Sequence, residues 1–400
     1  MRPFDGRRVL LGVTGGIASY KTAWLARLLT QAGAEVDVVM TPAATAFIAP
    51  LTFEALVGRP VHTDLIAPGH ALDHIRLARR ADGVVVAPAT ADFLARAAHG
   101  RADDLLAACL LATTAPVLLA PAMNDRMWAH PQTVLNVAHL RELGYTVVDP
   151  EEGALAEGEG NGPGRMPEPE TILAHAARLL ETPSLRGRRV LVTAGPTREA
   201  VDPVRFLSNR STGKMGAAVA AAAWRRGASV TLVHGPLEVT VPDGVDAVAV
   251  ESTAQMADAV AAALPQADVL VMAAAPADFG AAAPASGKIK KEAAPAAIAL
   301  AATPDILART VAKRKPGAVM VGFALETDDL VANARRKLES KALDLIVANA
   351  VGEPDAGFAA DTNRVTFIAR DGASEPLPLL TKHEVAERLL DRIEALLGAR

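Results

Sequence analysis

The chain has 400 residues, half of them hydrophobic, more than one hydrophobic core usually organises, so two domains of roughly 200 residues each are expected. A net charge of −4 excludes general electrostatic attraction to nucleic acid or to an anionic membrane. A single cysteine, Cys109, excludes an internal disulfide framework and fits a reducing compartment, so a cytoplasmic location is expected.

The start, "MRPFDGRRVLLGV", offers no signal core with a cleavage site and runs directly into a strand, "RVLLGV". "IASYKTAWLARLLTQAG" follows as a helix ending at Gly33, then "EVDVVM" as a strand. "GVVVAP" and "APVLLAP" are further strands, "TVLNVAHLRELG" a helix and "TVVD" a strand. Alternation of this kind, with continuous Val and Leu runs, predicts a parallel sheet covered by helices on both faces. The apolar stretch "LLAACLLATTAPVLLAPA" reads as a buried helix and strand, not a membrane span, because Thr113, Thr114 and Pro116 divide it. A Gly-rich segment, "GALAEGEGNGPGRM" (153–166), precedes a helix from about 169 to 181.

"TPSLRG" is a short polar connector, and at "GRRVLVTAGPT" the opening pattern restarts, much as "GRRVLLGVTGG" began at Gly6. Two α/β domains in tandem, 1–186 and 187–400, are therefore expected. In the second, "ASVTLVHG", "DAVAVES", "DVLVMAAA", "AVMVGFA" and "LDLIVAN" are strands, and "TKHEVAERLLDRIEALLG" is a terminal helix. Thr381 and Glu384 have the spacing of a capping box at its start. "FGAAAPASGKIKKEAAPAA" (279–297) has no sustained period and is expected to be a mobile loop.

In the first half, "GVTGGIASYK" puts Gly15 and Gly16 between a strand and a helix, where backbone N–H groups, the helix start and Ser19 can meet an anion. It lacks the G-x-G-x-x-G spacing, so a dinucleotide is not specifically indicated. His74 opens a short helical stretch. "APATAD" follows a buried strand at the end where open α/β sheets bind ligands. "PAMNDRMW" places Asn124 just past another strand end. From the residues alone, a tight turn, a structural histidine and a turn-stabilising carboxamide stay open as alternatives.

The ordered motifs G-G-I-A-x-Y-K, H-I-x-L-x-x-x-A-D, A-P-A-T-A and P-A-M-N-x-x-M-W resemble the FMN-dependent cysteine decarboxylases, over about residues 7–180. Their best-known member is phosphopantothenoylcysteine decarboxylase of coenzyme A synthesis. The resemblance implies a flavodoxin-like FMN domain with His74 and Asn124 catalytic, Asn124 holding the substrate carboxylate. It places Gly15, Ser19, Ala87, Pro88, Ala89, Thr90 and Ala91 near FMN, with Met123 beside the substrate. In such enzymes the thiol is first oxidised to a thioaldehyde by FMN, an electron sink that lets CO2 leave. His74 would serve as acid/base because its ordinary pKa lies near neutrality.

In the second half, "AGPTREAVDPVRFLSNRSTGKMG" contains Gly-Lys but is no Walker A loop, because Ser208 stands in place of the first glycine and Met215 follows the lysine. Of ten lysines in the chain, seven lie between 288 and 341, namely Lys288, Lys290, Lys291, Lys313, Lys315, Lys337 and Lys341. Lysine is a compact charge suited to phosphate, and a polyphosphate site or a solvated basic face would each use such a cluster. Together with "AAAPADF", "KIKK", "TPDI", "GFALET" and "KLESKALDLIVAN", the segment resembles phosphopantothenate–cysteine ligase over about residues 187–398.

That resemblance implies a Rossmann-like nucleotide-binding domain that uses CTP and Mg2+. It implies Asn209 acting on an acyl-cytidylate, Lys288 neutralising the transferring phosphate, and Ala274, Ala275, Asp278, Phe323, Lys337 and Lys341 near the nucleotide. Thr303, Pro304, Asp305 and Ile306 would line the same pocket, and Asp278 would contact either the metal or the nucleotide.

The two resemblances imply a bifunctional enzyme that makes 4'-phosphopantothenoylcysteine from 4'-phosphopantothenate, cysteine and CTP, and then converts it to 4'-phosphopantetheine. They also imply a homo-oligomer built from trimers and dimers, a dodecamer. A flavin- or nucleotide-binding protein with only the ligase half fully active is the alternative. An NAD-dependent oxidoreductase is disfavoured because neither Gly-rich turn has the dinucleotide spacing.

The alternative rests on the Gly-rich segment. In the decarboxylases it is a flap, "G-x-L-A-C-G…G-x-G-R-M", whose cysteine donates the last proton. Gly153, Leu155, Ala156, Gly162, Gly164, Arg165 and Met166 fit, but Glu157 or Gly158 holds the cysteine's place. Cys109, in an apolar helix, reads as a buried structural thiol. Glu157, or Glu159 beside it, is therefore the expected proton donor.

Overall fold

The structure is a computed structural model of the chain, and it describes all residues except 1–3, 67, 156, 157, 159, 291–296, 327, 328, 351–354, 356, 358 and 400. The chain divides into two compact units, residues 1–181 and 182–400.

The first unit contains β1 (Arg8–Val13), α1 (Ser19–Gln31), β2 (Glu35–Met40), α2 (Pro50–Val57), β3 (Val61–His62), α3 (Asp73–Arg80) and β4 (Gly83–Ala89). It continues through α4 (Ala91–Ala98), α5 (Leu105–Ala112), β5 (Val117–Pro121), α6 (Asp125–Trp128), α7 (Pro131–Glu142) and β6 (Thr146–Val147). A hairpin of β7 (Glu151–Ala154) and β8 (Asn161–Arg165) precedes α8 (Pro169–Leu180). The main sheet runs β3-β2-β1-β4-β5-β6, parallel throughout. Leaving aside the two-residue edge strand β3, the strands follow the flavodoxin-like winding.

The continuous apolar runs arise because both faces of each central strand are covered. Val9, Leu11 and Val13 pack with Leu25, Phe53 and Ile172 on one face, while Leu10 packs with Val84, Phe93 and Leu106 on the other. A Cβ at Gly12 would lie 2.5 Å from Leu106 Cδ1, so β1 carries glycine where α5 packs against it. Helix α5 is apolar all round and buried. It is capped by Asp104, whose Oδ1 accepts from Ala107 N at 2.8 Å. Burial pushes its Cys109 thiol up to about 12, which makes it inert, as expected of a structural thiol.

The second unit opens with β9 (Arg189–Ala194), β10 (Arg198–Ala200), β11 (Phe206–Ser208), α9 (Lys214–Arg225), β12 (Ser229–His234), β13 (Asp246–Ala249) and α10 (Thr253–Ala263). Next come β14 (Val269–Met272), β15 (Phe279–Ala281), β16 (Leu300–Ala302), α11 (Ile306–Thr310), β17 (Val319–Glu326), α12 (Leu330–Ser340) and β18 (Leu345–Ala350). It ends with β19 (Thr362–Asn363), β20 (Thr366–Ala369), β21 (Ser374–Pro376), β22 (Leu380–Thr381) and α13 (Lys382–Gly398). The main sheet runs β13-β12-β9-β14-β17-β18-β20-β21, with β20 and β21 antiparallel at one edge.

Leu191, Leu270 and Met320 meet Val260, Leu338 and Ile346 in one core, and α9 packs against β9 and α13. Thr381 and Glu384 form the predicted capping box of α13.

The second unit holds elements that the sequence reading did not give, among them two strand pairs. Residues 279–281, placed in a loop, form β15 and pair with β16, because three residues are too few to show a period. The segment 198–208, which gave no element, forms the β10–β11 hairpin. Its turn is held by buried Asp202, whose Oδ1 accepts from Val204 N and Arg205 N, both at 2.8 Å.

Candidate functional site

In the first unit the chain reverses direction across the sheet between β1 and β4, where open α/β sheets form a crevice beyond the strand ends. Thr14, one residue past β1, ties the two loops there. Its buried hydroxyl donates to Pro88 O at 2.7 Å and accepts from Thr90 N at 3.2 Å. A cavity of about 1040 Å³ opens at this point.

Gly15, Thr90, Ala91, Met123, Asn124, Gly164, Arg165 and Met166 all line it, brought together from four separate segments. Ala87, Pro88 and Ala89 lie in β4, buried beneath it. A Cβ at Gly15 would fall 2.5 Å from Ala43 Cβ, so the turn needs glycine for close approach. Ser19, the first residue of α1, has a buried hydroxyl oxygen with no hydrogen-bond partner among the described residues. Asn124 caps α6, its Oδ1 accepting from Arg126 N at 2.9 Å, so the turn-stabilising role is real. His74 lies on α3 and is not among the lining residues; its Nδ1 is buried without a partner among the described residues.

The Gly-rich segment is the β7–β8 hairpin, and Ala154, Leu155, Gly164, Arg165 and Met166 from it line the cavity. Leu155 N donates to Gly160 O at 2.9 Å near the tip, and Gly158 and Gly160 take positive φ of 83° and 79°. The hairpin docks through Met123 N, which donates to Gly164 O at 3.0 Å; a Cβ at Gly164 would sit 2.2 Å from Met123 O. Glu157 and Glu159, the expected proton donors, lie outside the described residues.

Sequence reasoning did not single out Lys21, Asp92, Arg96 or Asp104, which also line this cavity. Lys21 in α1 is buried, and its ammonium donates to Met166 O at 3.3 Å and pairs with Glu168 Oε1 at 3.0 Å. Arg165 pairs with the same carboxylate. Partial burial opposes the charge on Glu168, but the Lys21 hydrogen bond and the two cations outweigh it and hold its carboxyl below the usual range. Across the cavity Arg96 pairs with Asp104 at 2.6 Å and Asp92 at 2.9 Å.

The second unit repeats the crevice between β9 and β14. Ala275 N donates to Gly195 O at 2.9 Å, and Pro196 bridges Ala275. Thr197 Oγ1 accepts from Ala277 N at 2.9 Å and meets Thr253 Oγ1 at 2.8 Å. The Asn209 amide donates to Ala275 O at 3.1 Å and Pro276 O at 3.0 Å, which docks it on this loop. Thr303 Oγ1 donates to Ala277 O at 2.5 Å and its N–H to Asp278 O at 3.0 Å, so the "TPDI" and "AAAPAD" segments are adjacent.

Ala274 and Pro304 are half-buried, and Asp278 and Lys288 are exposed. Ile306 packs in the core, and Phe323 lies half-buried in β17. Asp305 caps α11, its Oδ1 accepting from Ala308 N at 3.0 Å, and it also pairs with Lys341. Lys337 pairs with Glu326 at 2.7 Å. Asp202, unread in the sequence, reaches the lysine-bearing loop by accepting from Ile289 N at 3.2 Å.

Residues 2–181 match the family described as Flavoprotein, and residues 185–397 match the DNA/pantothenate metabolism flavoprotein C-terminal domain. The chain is 48% identical over 410 residues to the coenzyme A biosynthesis bifunctional protein CoaBC of Mycolicibacterium smegmatis, covering 98% of this chain and 99% of that one. The chain belongs to the bifunctional coenzyme A biosynthesis proteins. A relative of the same name in Bacillus subtilis is 45% identical over 399 residues, covering 98% of each chain. The crystal structure of the C-terminal domain of a coenzyme A biosynthesis bifunctional protein CoaBC is 40% identical, with a TM-score of 0.47, covering 54% of this chain and 99% of that one. As in the other bifunctional coenzyme A biosynthesis proteins, this chain joins a decarboxylase half to a ligase half. Among the described residues, no helix is long and apolar enough to cross a membrane.

Proposed function

We propose that the first unit binds FMN in the β1–β4 crevice and decarboxylates 4'-phosphopantothenoylcysteine to 4'-phosphopantetheine, and that the second unit supplies that substrate by joining cysteine to 4'-phosphopantothenate with CTP. The observation that carries the FMN reading is the buried Ser19 hydroxyl, without a partner among the described residues, at the start of α1 just after the turn that bears Gly15 and Gly16. A helix N-terminus with a free hydroxyl fits a phosphate, and a large cavity beside it fits a ring system. FMN, when bound, supplies the two-electron redox chemistry that turns the substrate thiol into an electron sink.

The chain's own residues do the rest. Asn124, already fixed at the start of α6, orients the substrate carboxylate by hydrogen bonding without the repulsion of a second anion. His74 serves as acid/base. The β7–β8 hairpin, anchored at Gly164, excludes water over the reacting thiol, and Glu157 or Glu159 donates the last proton in place of the cysteine of similar flaps.

In the second unit a carboxylate must be activated before an amine can displace its oxygen. Attack on the α-phosphate of CTP gives an acyl-cytidylate and pyrophosphate, and the cysteine amine then releases CMP. Asn209 contacts the intermediate, Lys288 neutralises the transferring phosphate, and Phe323, Lys337, Lys341 and the segment 303–306 hold the nucleotide. Asp278 offers an exposed hard oxygen donor suited to Mg2+. The assembly would be a cytoplasmic dodecamer of trimers and dimers.

The test is incubation with 4'-phosphopantothenate, cysteine and CTP, followed by product mass. Flavin absorption in the purified protein, CMP release and a 4'-phosphopantetheine mass are the expected result. A colourless protein would overturn the FMN reading and absent CMP release the ligase reading, while a product two hydrogens short, or full reduction that survives Glu157→Gln and Glu159→Gln together, would overturn the carboxylic-acid proton donor.

A further inference from the structure

Three of the nine histidines, His62, His70 and His74, fall in the stretch that leads into α3. Two of them converge on Asp73, the first residue of that helix. The Asp73 side chain is only 7% exposed, and its two oxygens have separate tasks. Oδ1 pairs with Arg76 at 3.0 Å. Oδ2 faces His70 Nδ1 at 2.8 Å and His62 Nδ1 at 3.5 Å. One ligand atom from each of His62, His70 and Asp73 lies within 4.8 Å of the others. None of the three lines the cavity of the first unit.

We propose that His62, His70 and Asp73 form a binding site for a divalent transition-metal cation of the zinc class, distinct from the decarboxylase cavity. Two imidazole nitrogens and one carboxylate oxygen are a donor set that selects borderline metals over Mg2+ and leaves a fourth position to water. The 3.5 Å separation of His62 Nδ1 and Asp73 Oδ2 is close to that of two ligands about 2.0–2.1 Å from one tetrahedral zinc. Arg76 on Oδ1 leaves Oδ2 as the single coordinating oxygen, the outer-shell arrangement that orients a metal carboxylate.

The 2.8 Å contact of His70 with Asp73 is a hydrogen bond that the cation replaces, the His70 proton moving to Nε2 so that Nδ1 presents its lone pair. The ligands come from β3, from the segment that follows it and from α3. The bound cation therefore fixes the start of α3 immediately before His74.

The test uses the full-length chain, stripped with a chelator and titrated with Zn2+ by calorimetry and with Co2+ as a spectroscopic probe. One Zn2+ per chain, a raised Tm and visible four-coordinate Co2+ bands are expected. His70→Ala, at a half-exposed residue that need not disturb folding, and the near-isosteric Asp73→Asn should each weaken binding by about 100-fold or more. The proposal is overturned if the stripped chain takes up no Zn2+, or if His62→Ala/His70→Ala binds it as the wild type does. A His70→Ala variant that lowers Tm equally with and without Zn2+ would leave a hydrogen-bonded helix start only, and would also overturn it.

Discussion

The two units solve the same topological problem with different loops. Numbered within each unit, the parallel strands of both sheets run 3-2-1-4-5-6, hairpin strands aside, and both place a ligand crevice where the order reverses. The framework is repeated down to single side chains. Asp82 before β4 accepts from Arg8 N at 2.7 Å, and Asp268 before β14 accepts from Arg189 N at 2.8 Å. Thr14 and Thr197 each tie the two crevice loops by accepting a backbone N–H. The difference lies above the sheet. In the first unit the β7–β8 hairpin returns over the crevice and, with buried Lys21, makes a deep cavity. In the second, no comparable hairpin returns over it among the described residues; the β10–β11 and β15–β16 pairs there are short. The sheet thus sets where ligands bind, and the returning loops set what chemistry is protected there.

The sharpest way to break this contrast is to remove the hairpin's anchor. A Cβ at Gly164 would lie 2.2 Å from Met123 O, so Gly164→Val cannot dock β8 as the wild type does. Displacing the flap by about 1 Å should cost about 100-fold in decarboxylation. Ligation should stay at the wild-type level, measured as CMP release on the same preparation. Equal losses in both halves would show that the hairpin is not specific to the first crevice.

How far each crevice could be read beforehand follows from where its contacts come from. β1, β4, β9 and β14 were legible because Val and Leu fill both faces of buried parallel strands. Asn124, Thr90, Gly15 and Arg165 were legible through the order of their motifs. The hairpin was not legible as strands, because "NGPGR" has no apolar alternation and its position depends on Met123. Lys21 reads as a solvated helix residue until Glu168, far along the chain, arrives to pair with it. Lys337 and Lys341 read as a phosphate clamp, and the structure gives each a carboxylate, Glu326 and Asp305, that no spacing rule connects to it.

Paired substitutions of the tying threonines sharpen the comparison. Thr14→Val deprives the Pro88 carbonyl of its donor and the Thr90 N–H of its acceptor. Thr197→Val does the same to the Ala277 N–H. An unsatisfied buried group costs about 1–3 kcal/mol. Flavin retention should fall by about 10-fold or more in the first variant alone, and kcat/KM of ligation in the second alone. Crossed effects would mean that the two crevices are not independent.

Ser19→Ala probes a smaller difference, since its hydroxyl has no partner to lose among the described residues. Stability should hold while FMN affinity falls by about 10-fold, the value of one hydrogen bond to a charged oxygen. Fluorescence titration of the stripped chain with FMN measures this. Unchanged affinity would detach Ser19 from the phosphate.

The repeated aspartates give the finest comparison: the Asp268 side chain is 11% exposed and pairs with Lys315 at 2.6 Å, whereas that of Asp82 is 37% exposed and meets Arg7 at 3.6 Å. Burial opposes the charge on Asp268. Hydrogen bonds from Lys315 at 2.6 Å and from Arg189 N, with the charges of Lys315 and Arg188, outweigh it and hold the carboxyl below its ordinary 3.8. A carboxyl depressed in the folded state contributes stability that is full above its unfolded value and lost as pH falls through the folded one. Asp268→Asn should therefore lower the protection of β9 and β14 amides against hydrogen exchange by about 1 kcal/mol at neutral pH. The gap to wild type should close below pH 3.8. Asp82→Asn should show a smaller loss in β1 and β4, because solvent screens a half-exposed carboxylate. Equal losses would mean that the shared strand-start hydrogen bond, and not burial, sets the contribution of these residues.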